Sequence, residues 1–282
     1  MAYQPVIIGA ADAKGGDTLF DGATKINSNF VELYGFHVGG NNTVYLRSEA
    51  DLPNQTATTW TMDADTPYKI AANFSTSLQT IPTAGSSLRG DNLSAYTMSF
   101  TGSGAMFRGT DADFYISNIT IDPGITNTAF EFDDTVGGIR LFISENLQVD
   151  NCAVWGKFTN MRLAQIINCD GRNANQGLQF FGTSGLTWSI SRFSLASTSA
   201  SFKAVDFGTA TALLAEFSNI FATAPIGAFG LSGLANSGNI PVGRLGMVDA
   251  CEFTGGMTDL ENIEVTDIRW NFRGNTPTQD TQ

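Results

Sequence analysis

Closely spaced carboxylates are the residues of this chain that first suggest chemistry. Asp111 with Asp113, Asp133 with Asp134, Asp150 with Asp170, and Asp249 with Glu252 are pairs of the kind a glycosidase uses. Inverting hydrolysis needs its two carboxyl groups about 6.5–9.5 Å apart, one to protonate the leaving oxygen and one to activate water, whereas retention needs about 5–5.5 Å. Asp150 and Asp170 each end a similar short motif, so stacked repeats would put them at equivalent points of adjacent rungs. The opposing reading is turn chemistry, because Asp at the end of a short strand commonly accepts hydrogen bonds from its own backbone. That reading is adopted, and no catalytic residue is assigned. An eliminative lyase would need a basic residue beside acidic Ca²⁺ ligands, and the basic residues here are scattered singly. Asp111-x-Asp113 and Asp63-x-Asp65 offer oxygens to Ca²⁺, but neither continues into an EF-hand loop. No metal site and no cofactor is assigned.

Other catalytic arrangements are excluded by residue type. The single histidine, His37, lies in the linker ahead of the body, so neither a Ser-His-Asp nor a Cys-His site is expected within the body. No phosphate-binding Gly loop or H-E-x-x-H is present, and Gly182-Thr-Ser-Gly185 lacks the spacing of a nucleophile elbow. Cys152, Cys169 and Cys251 are odd in number and not spaced for zinc, so they are expected to be buried small hydrophobes. Trp60, Trp155, Trp188, Trp270, Tyr45 and Phe180-Phe181 could stack on sugar rings, but most of the 21 Phe must be interior. Adjacent strand residues face opposite sides, so one of Phe180 and Phe181 must point outward.

Composition narrows the partners. A net charge of −12 and a pI near 4.3 argue against nucleic acid, whose phosphates require clustered Lys and Arg, and against an anionic membrane surface. No apolar run is long enough to span a bilayer, and no basic region precedes an apolar run at Met1-Ala-Tyr-Gln-Pro, so neither membrane insertion nor a signal peptide is expected. Charged residues are only 15 %, while 30 Gly accompany abundant Asn, Thr and Ser, the composition of a chain ordered by turns and strands.

Two kinds of element position these residues. Residues 17–35 predict an amphipathic helix. Thr18 is placed as N-cap with Asp21 as capping-box partner, Ala23, Ile26, Phe30, Leu33 and Tyr34 form one stripe, and Gly35 follows as C-cap. Residues 1–42 are therefore read as arm, helix and linker, and residues 43–282 as a β-rich body. Within the body Asn118–Asp122, Asn146–Asp150 and Asn262–Asp267 share an Asn, two apolar positions two apart and an Asp. Looser copies occur around Ile166, Phe193, Ile220 and Val248. Intervals of roughly 20 to 28 residues fit stacked repeats. Asn and Asp at these positions suit left-handed corners. The expected fold is all-β, a right-handed parallel β-helix with a short N-terminal arm and one α-helix. A sandwich or jelly roll is the alternative.

Thr24-Lys-Ile-Asn-Ser-Asn-Phe-Val-Glu-Leu-Tyr34 resembles a segment near the N-terminus of many tailed-bacteriophage virion proteins. Val44–Pro53 and Trp60–Tyr68 resemble the opening of phage tail proteins with a pectate-lyase-like β-helix, a pattern continued at Leu88–Asn92 and Ile116–Ile121. The resemblance covers roughly the first 125 residues. It implies a structural and adhesive virion protein, a tail fibre or tailspike for host attachment, located on the particle and assembled in the host cytoplasm. It also implies a homotrimer that contacts other tail or baseplate proteins and a host surface glycan. Phe20, Ile26, Phe30, Leu33 and Tyr34 are the expected attachment or trimer contacts, unless that stripe caps its own β-helix. A polysaccharide depolymerase and an adaptor or head-mounted fibre are the rival functions.

Overall fold

The computed structural model describes residues 43–137, 140–182, 185–208, 212–233, 245–262, 270–272 and 279–280. The expected helix 17–35, its five contact residues Phe20, Ile26, Phe30, Leu33 and Tyr34, and His37 lie outside them.

The chain winds as a parallel β-solenoid whose turns visit three sheets. In the first sheet Tyr68, Leu88, Ile116, Ser144, Ile166, Ile190 and Phe217 stack in register. The second aligns Met98, Ile121, Val149, Gly171, Leu195 and Ala222. The third aligns Phe107, Phe130, Gly156, Leu178, Val205, Leu231 and Leu260. Among the described residues every strand pairing is parallel, the lone exception being an isolated antiparallel bridge between Gln55 and Trp60. A sandwich would require antiparallel partners, so that alternative is set aside.

The corner between the first and second sheets explains the repeated Asn. Asn118, Asn146, Asn168 and Asn219 all have φ between 47° and 55° there, the left-handed region that Asn tolerates best after Gly. Their side chains also link successive turns. Asn146 Nδ2 donates to Asn118 Oδ1 at 3.0 Å, and Asn168 donates to Asn146. Such one-residue corners barely interrupt the ladder, so Leu141–Thr159 and Leu163–Phe181 each run as single bent strands of 19 residues rather than as separate short ones. The Asp that ends each motif differs from expectation. Asp122 and Asp150 stay in extended strand, and Asn151 and Asn173 occupy the next left-handed corner, joined by a 2.9 Å side-chain bond.

The interior is filled by aromatic rings. Phe132, Phe158, Phe180, Trp188, Phe207 and Phe217 follow one another with centroids 4.1–6.4 Å apart, all fully buried or nearly so. Phe107, Phe130, Trp155 and Phe193 make a second column beside it. Phe180 is inside, and Phe181 faces out, half-buried beneath Lys157, as strand alternation requires. Trp60, Trp155 and Trp188 are core residues and offer nothing to a sugar, and the side chain of Trp270 lies outside the described residues. None of the three cysteines is joined in a disulfide, and all are buried.

Candidate functional site

Two of the four carboxylate pairs are structural. Asp111 sits at a left-handed corner and accepts hydrogen bonds from Thr135 N and Oγ1, both at 2.7 Å, while Asp113 accepts from Leu141 N at 2.8 Å. The Thr135 hydroxyl bond is the largest influence holding the Asp111 carboxyl below its ordinary value. Asp134 is buried and caps Gly137 N at 3.0 Å, and Asp133 ends the preceding strand. In the fourth pair Glu252 lies on the second sheet, and the Asp249 side chain is outside the described residues.

Asp150 and Asp170 do share a face, the outward side of the second sheet, but not equivalent points. Register places Gln148 opposite Asp170 and Asp150 opposite Arg172, so the two carboxylates are diagonal neighbours. Each is already engaged. Gln148 Nε2 donates to both oxygens of Asp150 at 3.0 and 2.9 Å. Asp170 receives Arg172 Nε at 2.8 Å on one oxygen and Ser194 Oγ at 2.5 Å on the other.

A cleft of ≈ 490 Å³ opens over this face, floored by Thr97, Thr120, Gln148, Asp150 and Arg172 and walled by Leu93 and Ser94. The wall exists because residues 90–96 replace the one-residue corner of later turns with a loop. Asn92 braces that loop by accepting from Ser94 N and Ala95 N, and Thr120 Oγ1 donates to Leu93 O at its base. Gly90 permits the entry, since a Cβ there would lie 2.1 Å from Asn118 O. Thr120, Gln148, Asp170, Ser194, Phe221 and Glu252 stand in one file across successive strands. Phe221 in that file is 41 % exposed.

Gln148, Arg172 and Phe221 were not singled out from sequence, although Gln148-x-Asp150 and Asp170-x-Arg172 have the two-residue spacing that puts side chains on one strand face. Among the described residues no group of three or more His, Cys, Asp or Glu is arranged to hold a metal ion, and no helix is long and apolar enough to cross a membrane. Comparison with protein-family models, curated proteins and solved structures gives no match.

Proposed function

We propose that this chain is a structural and adhesive virion protein of a tailed bacteriophage, a tail fibre or tailspike that grips a host surface glycan without cleaving it. The observation that carries the reading is the cleft on the second sheet. It is lined by hydroxyls, an amide, a carboxylate and a guanidinium, groups that pair with sugar hydroxyls. Both candidate carboxylates hold fixed donors instead of standing free for acid–base work. The resemblance at residues 24–34 and 44–68 supplies the virion context, and a solenoid provides the projecting surface that adhesion uses.

In this reading the assembly is a homotrimer on the particle surface, attached to tail or baseplate proteins through Phe20, Ile26, Phe30, Leu33 and Tyr34. Light scattering after size exclusion is expected to give the mass of three chains, and a clean monomer overturns the trimer. Incubation with host surface polysaccharide is expected to leave it intact. Release of reducing ends or unsaturated sugars would instead establish a depolymerase. Virions assembled with a chain lacking residues 1–35 are expected to omit it, and its retention overturns the anchor.

A further inference from the structure

We propose that the outward strip of the second sheet discriminates by charge, taking neutral or amino-bearing glycans and refusing uronate- or phosphate-bearing ones, with Phe221 as a stacking platform beyond the cleft. The inference rests on the glycan-binding reading above and names the class of glycan. A single exposed apolar residue asks for no explanation by itself. The position of Phe221 does, because it stands in register with Ser194 on one strand and Glu252 on the next, in the file that contains Gln148 and Asp170. Strands stack about 4.8 Å apart, so Phe221 lies roughly 14 Å from Gln148 along the solenoid. Cleft and ring therefore form a continuous track that a linear oligosaccharide can follow. The C–H face of a pyranose packs on an aromatic face, while its hydroxyl rim needs the polar partners that Gln148, Asp150 and Arg172 supply.

Charge decides the class. Among the described residues the strip carries Asp150, Asp170 and Glu252, with Asp122 beside the cleft, against the one cation Arg172. That guanidinium spends Nε on Asp170 at 2.8 Å, yet its side chain is 61 % exposed, so the remaining N–H groups are open to neutral hydroxyls. An incoming carboxylate that reached those N–H groups would lie within a Debye length of Asp170, Asp150 and Asp122, whose charges oppose it. The whole chain, at −12, opposes it in the same sense. Ring hydroxyls and ammonium groups can instead donate to the carboxylates.

The test uses the full chain on an array of bacterial surface polysaccharides of known composition, grouped as neutral, amino-bearing, and uronate- or phosphate-bearing. Binding is expected in the first two groups and about tenfold weaker or absent in the third, with the gap narrowing as salt is raised. Phe221→Ala changes an exposed side chain and leaves the core intact. It is expected to weaken binding about fivefold, the scale of one lost ring contact, with an unchanged circular dichroism spectrum. Asp150→Asn with Asp170→Asn is expected to admit the acidic group. Equal or stronger binding of acidic polysaccharides overturns the charge selection while leaving glycan binding in place. An unaffected Phe221→Ala variant overturns the platform. Absence of binding to every member overturns both this inference and the glycan reading beneath it.

Discussion

Arg192 occupies, with φ 51°, the corner that Asn168 fills on the turn before it and Asn219 on the turn after. A long side chain gains nothing there, because the left-handed region crowds its Cβ and the guanidinium cannot make the amide-to-amide bond seen between Asn146 and Asn118. Arg192→Asn is therefore expected to stabilise the protein by roughly 1 kcal/mol, read as a higher urea midpoint at unchanged slope. The cysteines illustrate burial at the same scale. Burial pushes the Cys152 thiol up to about 12, with Asp122 and Asp150 adding in the same direction. Burial likewise raises Cys169 to about 11, against the opposing bonds to Ser144, Leu147 and Ile167. A thiol whose folded value lies above its ordinary 9.0 binds more protons folded than unfolded as pH passes 9.0. The stability it contributes is complete below that value and is lost as pH rises toward 11–12. Denaturation midpoints should hold near neutral pH and fall between pH 9 and 11, less steeply in Cys152→Ala. Native protein at pH 8 should leave Cys152 and Cys169 unreactive toward a thiol reagent.

The loop 90–96 is the element on which the cleft depends, and its first residue makes the close approach. Gly90 N donates to Ser117 O at 2.9 Å, and a methyl group at Gly90 would overlap Asn118 O. Relief requires the chain to leave the next turn, since neither backbone can give way alone. Gly90→Ala is expected to cost about 1–3 kcal/mol and to weaken any ligand held against Leu93 and Ser94. A stable variant with unaltered binding would show that the loop is not the wall. The strands themselves were readable because Asn–apolar–x–apolar spacing marks a corner followed by two inward side chains. The bent 19-residue strands were less so, since a left-handed Asn reads as a break in sequence but keeps the ladder intact in space.

The whole solenoid shares its interior, and the aromatic columns tie one turn to the next. Phe180, from the third sheet of one turn, stacks at 4.1 Å and 18° on Trp188, from the first sheet of the following turn. Phe158 covers its other side at 5.5 Å. Phe180→Ala should cost about 3–5 kcal/mol by leaving a cavity that rigid neighbours cannot close, measured by chemical denaturation. Each turn contacts mainly its neighbours, so the loss should loosen amide-exchange protection in the adjacent turns before the distant ones. Uniform loss of protection would mean that the stack unfolds as one unit.

Local physics written in the chain determined the parallel β-helix, the buried cysteines and the split between Phe180 and Phe181. Alternating apolar residues, corner asparagines and repeat intervals each act within one turn, so their meaning survives without knowing what lies beside them. Register between turns is a different quantity. Repeats here recur at 28 residues between Asn118 and Asn146 but 22 between Asn146 and Asn168, and which outward residues become neighbours depends on where the longer loops are taken up. Only the tertiary structure therefore set Asp150 opposite Arg172 and Asp170 opposite Gln148, making diagonal neighbours of what sequence suggested as an aligned carboxylate pair. For the same reason it alone brought Phe221, some seventy residues from Gln148 in the chain, onto the same outward file.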